Sequence, residues 1–226
     1  DSDRTGLAVR MPDGAYQVMT GNQIGLLLME YILKSKHDKG QLPDKSFVVT
    51  TIVSSRLAKR ICRHYNADLF LTLTGFKFIG EQIKLHDEEG DMHFQFGYEE
   101  SSGYLAGTSV RDKDAVVASM LLAELAAVSA EEGMTLYDRM QKIYKEFGYA
   151  SEKTYSIMAE GATGQEKIRQ AMVSLRENKG QDLAGVKVQT ISDFKTSEVL
   201  DTETGQVGPL DYPESNVLLY EIDDMD

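Results

Sequence analysis

One cysteine, Cys62, stands in 226 residues, so no intrachain disulfide can form and a reducing cytoplasm is the simplest setting. Cationic residues are scarce. Twenty-four Lys and Arg against 36 Asp and Glu leave a net charge of −12, which excludes non-specific nucleic-acid binding because that needs a basic surface to release counterions. A few cations focused in a cleft can still receive an anionic substrate. No apolar run approaches the length of a membrane span and no signal-peptide pattern opens the chain, so neither nucleic acid nor membrane is an expected partner. Internal repeats and low-complexity tracts are missing too. What is present is an ordinary globular composition, 42% hydrophobic and 27% charged, in a length that suits one large domain or one domain plus parts of others.

Along the chain, short strands alternate with helices. Leu7–Arg10 and Tyr16–Met19 flank Met11-Pro12-Asp13-Gly14, whose Pro-Asp-Gly supplies a fixed φ, a side-chain acceptor and a permissive turn residue, so a hairpin is expected. Thr20 is placed to cap a helix through about Lys34, with Ile24, Leu27, Leu28, Tyr31 and Ile32 at helical spacing. After a polar loop over 35–45, Phe47–Val53 is a continuous apolar and β-branched run, the pattern of a strand covered on both faces. A short helix over 55–65 and a second buried strand, Leu69–Leu73, complete a βαβ unit, which predicts a parallel pair and an α/β class. A helix over 76–84, a strand over 92–98, a long helix over 112–130 and a helix from Thr135 through Phe147 follow. Past Ser151 the texture turns polar. A helix over 161–178 and strands over 186–191 and 217–222 are separated by a Thr-, Gly-, Asp- and Pro-rich stretch over 195–216. A domain boundary is expected near Ser151, before a connecting region into a domain that the chain does not complete.

Four segments carry candidate chemistry. Asp1-Ser2-Asp3-Arg4 sets two carboxylates one residue apart beside a guanidinium, suited to a divalent cation next to a phosphate; the same residues also read as a solvated acidic terminus. Because a natural fold does not begin in mid-motif, the chain is expected to continue upstream. Thr74-Gly75-Phe76-Lys77 sits where a buried strand gives way to a helix, the place where open α/β sheets gather ligands and helix N-termini present N–H groups to anions. A plain Gly turn with a solvent-facing lysine reads the same. Gly97-Tyr98-Glu99-Glu100-Ser101-Ser102-Gly103-Tyr104 puts two acids and two hydroxyls after a strand, between glycines. That set can partner vicinal sugar hydroxyls, each of which wants a hydrogen bond when buried, and it equally composes a polar surface turn. Arg111-Asp112-Lys113-Asp114 opens the long helix; Asp112 suits the positive end of the dipole whereas Arg111 and Lys113 oppose it, which hints at a ligand anion. Two other clusters are assigned no function. His86–His93 crowds acids and imidazoles into one Gly-containing turn and is expected to be a hairpin tip, and Gly161–Lys167 lacks the GxxxxGKS/T spacing of a phosphate loop.

Taken together, DSDR, TLTGFKFIG, GYEESSGYLAG and RDKD, in this order, resemble the α-D-phosphohexomutase family, in the phosphoglucomutase branch that includes phosphopentomutase-like members. The resemblance covers nearly the whole chain. It implies a three-layer mixed sheet with flanking helices of the third-domain type, plus partial flanking domains: residues 1–20 as the end of a second domain, 21–150 as the sugar-binding third domain, and 151–226 as a linker and incomplete start of a fourth. It also implies that Asp1 and Asp3 are two of three aspartates holding Mg²⁺, that Arg4 lies near the transferring phosphoryl group, and that Thr74 and Gly75 contact sugar or phosphate. Glu99 and Ser101 would bind adjacent sugar hydroxyls in both substrate orientations. Lys113 would lie near the reacting hydroxyl as a general acid/base or electrostatic stabiliser, with Arg111 as support. The family's serine motif, TASHNP, and its phosphate clamp, RPSGTEPK, are absent from this chain. The implied activity of the intact protein is interconversion of glucose 1-phosphate and glucose 6-phosphate through a phosphoserine and glucose 1,6-bisphosphate, with the missing domains of the same protein as partners and the fragment inactive alone. Phosphomannomutase, phosphopentomutase and a non-catalytic sugar-phosphate-binding module are the alternatives.

Overall fold

The computed structural model describes residues 2–178 and 185–222, which fall into two compact units divided between Glu152 and Lys153. The first unit opens with the expected hairpin, β1 (Leu7–Arg10) antiparallel to β2 (Tyr16–Met19). Helix α1 (Gly21–Asp38) follows, its N-terminus closed by a capping box in which Thr20 and Gln23 exchange side-chain-to-backbone bonds. It outruns the predicted end at Lys34 by one turn.

The expected βαβ unit forms. Strand β3 (Ser46–Thr51) is buried at every residue, α2 (Leu57–His64) crosses over, and β4 (Asp68–Thr72) pairs parallel to β3. Helix α3 (Phe76–Glu89) then returns to β5 (His93–Glu99), parallel to β3 on its other side, and β6 (Gly103–Ala106) closes an antiparallel hairpin with β5. The sheet order is β4-β3-β5-β6, so an α/β mixed sheet is confirmed. Helices α4 (Ala115–Glu131) and α5 (Leu136–Phe147) complete the unit, α5 starting at a second capping box made by Thr135 and Asp138.

The layers follow from the pleat, which sends neighbouring residues of β3 to opposite faces. Val48, with Phe96, Tyr98 and Tyr104, joins the larger core under α1, α2, α4 and α5. Phe47 and Val49, with Leu105, join the smaller core against Phe76, Ile79 and Ile83 of α3. Close packing on the larger side is visible at Gly25 of α1, where a Cβ would come closer than 3.0 Å to the Tyr98 ring. Helix α2 leaves β3 on one face of the sheet and α3 leaves β4 on the other, the arrangement in which open α/β sheets gather ligands at the carboxyl ends of their strands.

Two expectations are corrected. The segment 86–93 is not a hairpin tip: α3 continues to Glu89, Gly90 caps it in the left-handed region at φ 66°, and β5 begins at His93. The long helix starts at Ala115 with Asp114 as its cap, so Asp112 stands ahead of the helix rather than in its first turn.

The second unit carries α6 (Gly161–Glu177) and an antiparallel sheet in the order β10-β7-β8-β9: β7 (Val188–Asp193), β8 (Glu198–Asp201), β9 (Val207–Pro209) and β10 (Leu218–Ile222). The Thr-, Gly-, Asp- and Pro-rich stretch over 195–216 contains β8 and β9. Phe194 is buried against Tyr212, and Arg176 of α6 pairs with Asp193 at 2.9 Å.

Replacing Gly25 with alanine tests the packing. Helix propensity favours alanine by about 1 kcal/mol, but overpacking against Tyr98 costs about 1–3 kcal/mol. A net loss of stability is expected in urea unfolding; a gain would show that the larger core has room.

Candidate functional site

The carboxyl ends of β3, β4 and β5 gather most of the candidate residues. Past β4 the backbone turns at Thr74 and Gly75 into α3, and Gly75 has φ 121°, a conformation open to glycine. Its N–H donates to Glu99 Oε1 at 2.9 Å. Glu99 is the last residue of β5 and 5% exposed; its other oxygen accepts from the Ser101 hydroxyl at 3.4 Å. Between β5 and β6 the chain makes a three-residue loop. Glu99 pairs with Gly103, the Ser102 N–H donates to Glu99 O at 3.2 Å, and Ser102 takes φ 68° at the third position, where such loops demand a left-handed residue. Thr74 is exposed at the rim.

Lys113 reaches this loop from the segment before α4. At Gly103 a Cβ would lie 2.5 Å from Lys113 Cδ and 3.3 Å from Glu99 Oε2, so the missing side chain is what lets the lysine stem pass beside the Glu99 carboxylate. The ammonium lies 2.6 Å from Asp112 Oδ1, 3.4 Å from Asp3 Oδ2 and 5.2 Å from the centre of the Phe76 ring. Burial works to lower the Lys113 pKa, but the hydrogen bond and charge of Asp112, and then those of Asp3, outweigh it and hold it above the usual lysine value. The charges set against the helix dipole at this point are thus answered by carboxylates of the chain itself.

The N-terminal segment is laid across the same place. Arg4 forms an antiparallel bridge with Gly103, Thr5 N–H donates to Ser102 O at 3.2 Å, and Ala115 N–H donates to Ser2 O at 3.1 Å. The Arg4 side chain is exposed and, among the described residues, has no hydrogen bond or ion pair. Asp1 lies outside the described residues. Magnesium prefers a near-octahedral shell of oxygens; of the two aspartates expected to hold it the described residues include Asp3 alone, and its Oδ2 is paired with Lys113, so this segment by itself does not fit the ion.

Arg111 is placed differently. Its guanidinium pairs with Asp87 of α3 and donates to Thr108 O at 3.0 Å, which turns it along α3 rather than toward Glu99. Asp3, Gly75, Glu99, Ser101 and Lys113 are therefore brought together, while Arg111 is engaged elsewhere. The structure adds Asp112, Phe76 and Gly103 to the cluster. His86, Glu89 and Asp91, at the other end of α3, place their ligand-type atoms within 4.8 Å of one another, with the His86 ring packed on Phe47 and Phe70.

The family model for the alpha/beta/alpha domain III of phosphoglucomutase/phosphomannomutase matches residues 20–147. The chain belongs to the phosphoglucomutase/phosphomannomutase family. A phosphoglucomutase of Staphylococcus aureus (strain MRSA252) is 38% identical over 218 residues, which is 96% of this chain and 38% of that protein. One from Staphylococcus epidermidis (strain ATCC 12228) is 36% identical over the same share of this chain and 39% of its own length. Among solved structures, the open form of the Paramecium phosphoprotein pp63/parafusin, a phosphoglucomutase, aligns with a TM-score of 0.62 at 17% identity, covering 97% of this chain and 34% of that one. A phosphoglucomutase/phosphomannomutase family protein of Burkholderia thailandensis aligns with a TM-score of 0.52 at 14% identity, over 83% of this chain and 35% of that one. The chain thus spans little more than a third of the length of its curated phosphoglucomutase relatives.

The electrostatics of this family member can be tested directly. In an NMR titration the Lys113 ammonium is expected to deprotonate above the usual lysine pKa, and Asp112→Asn to bring that value down. A value unmoved by the substitution would show that Asp112 does not hold the charge.

Proposed function

We propose that this chain supplies the sugar-reading part of a phosphoglucomutase that interconverts glucose 1-phosphate and glucose 6-phosphate. The observation that carries the reading is the Glu99–Ser101 pair, held at the carboxyl ends of the sheet with Lys113 beside it. An ionised carboxylate has about four lone-pair sites, and the bonds from Gly75 N–H and Ser101 leave acceptor capacity for two adjacent sugar hydroxyls. Such a grip tolerates the sugar in either orientation, because vicinal hydroxyls present the same donors when the ring is turned round.

In this reading Glu99 and Ser101 hold the ring and Thr74 and Gly75 line its edge. Lys113, kept protonated by Asp112 and Asp3, serves as a fixed positive charge near the reacting oxygen rather than as a base. Arg4, exposed and bridged through its backbone to Gly103, would meet the phosphoryl group. The phosphoryl donor is a phosphoserine outside this chain. It passes its phosphoryl group to the free hydroxyl, whose proton leaves to solvent, and the resulting glucose 1,6-bisphosphate returns its other phosphoryl group to the serine, the freed sugar oxygen taking up a proton. Residues 1–20 would close a preceding domain, 21–150 form the sugar-binding domain, and 151–226 lead into a following one. A cytoplasmic setting suits the single buried thiol of Cys62. The chain alone is expected to bind phosphosugars weakly and not to turn them over.

Calorimetric titration with glucose 1-phosphate, mannose 1-phosphate and ribose 1-phosphate tests this. Glu99→Gln keeps an acceptor for Gly75 N–H but removes the charge, and the affinity for the preferred sugar should fall about tenfold, as loss of a charge-assisted hydrogen bond implies. Equal affinity in both proteins would contradict the assignment, and tighter binding of another sugar would move the substrate.

A further inference from the structure

The adjacent acids Glu99 and Glu100 have the same chemistry but leave the end of β5 in different directions. Glu99 turns to Gly75 and Ser101. Glu100 Oε2 accepts instead from the Thr51 hydroxyl at 3.0 Å, at the end of the central strand β3. Thr51 is 1% exposed, and its oxygen also lies 2.9 Å from the hydroxyl of the buried Ser54. A hydroxyl has one proton to donate. With that of Thr51 committed to the carboxylate, Ser54 is the donor of the second bond, so the chain of bonds runs from Ser54 through Thr51 to Glu100.

The backbone of the same loop is held on a second side. At Gly21, the first residue of α1, a Cβ would come closer than 3.0 Å to Glu100 O and to Ser102 N, and the Tyr104 hydroxyl donates to Gly21 O at 3.2 Å. The loop over 100–102 therefore sits in a notch that only glycine leaves open, with a buried hydroxyl pair anchoring its one outward carboxylate.

We infer that Glu100 is a positioning residue: through Thr51 and Ser54 it sets the loop whose other members, Glu99 and Ser101, meet the ligand, with Gly21 as the notch that admits it. The inference rests on the proposed sugar-reading role of Glu99 and Ser101, but its primary test does not need a sugar. The Gly75 amide, bonded to Glu99 Oε1, reports where the Glu99 carboxylate is.

In the 226-residue chain without ligand, Glu100→Ala and Thr51→Val should both shift the Gly75 amide resonance. Both should speed hydrogen exchange at the Ser102 amide by about tenfold, as local opening of a loop does. Glu100→Gln, which retains an acceptor for Thr51, should restore both signals. A change in thermal stability alone, with Gly75 and Ser102 unmoved in Glu100→Ala and Thr51→Val, would overturn the inference. So would a Glu100→Gln protein as disturbed as Glu100→Ala. A glucose 1-phosphate titration of the same proteins separates the two claims. Moved amides with unchanged affinity would uphold the positioning role and count against sugar reading by this loop.

Discussion

Glu99 ends β5 inside the protein, and both of its carboxylate oxygens are engaged by groups from different elements: the Gly75 N–H at the start of α3 and the Ser101 hydroxyl in the hairpin loop. A carboxylate buried to this degree is costly unless it is hydrogen-bonded. That requirement ties together the exit of β4, the entry of α3 and the turn into β6. It also fixes what can pass beside it, since Lys113 runs over Gly103 where a side chain would collide with the lysine stem and crowd Glu99. The rest of the cluster is arranged around this satisfied charge, with the lysine ammonium answered by Asp112 and Asp3 rather than by Glu99 itself.

Two adjacent carboxylates are thus held by different parts of the scaffold. Glu99 is bonded to Gly75 and Ser101, while Glu100 is bonded to the scaffold at Thr51. The lysine is pre-charged by its neighbours, so it can present a positive charge without reorganisation when an anionic group arrives.

Much of the fold was legible where local chemistry decides. Pro12-Asp13-Gly14 marked the first hairpin, Thr20 and Thr135 marked helix starts, and the unbroken apolar run at Phe47 marked the central strand. Elements that depend on partners were harder to read. Strand β6 is four residues long and exists through its pairing with β5, and α3 continues past Lys84 because His86 finds Phe47 and Phe70 to pack against. In the site, Gly75, Glu99, Ser101 and Lys113 were readable as motif members. That Arg111 pairs with Asp87 was not, because the two lie in segments whose approach is set by the close fit of Gly80 against the Arg111 backbone. The differing directions of Glu99 and Glu100 were not readable, because Glu100 lies in the loop after β5 and its partner at Thr51 is a product of the sheet order.

The central claim is that the carboxyl ends of β3, β4 and β5 are where this chain reads a phosphosugar. Backbone amide shift mapping on addition of glucose 1-phosphate tests it most directly. The account predicts that the amides of Gly75, Ser101, Ser102, Gly103 and Lys113 move first and saturate together. A ligand that moves amides elsewhere while leaving these in place would contradict it.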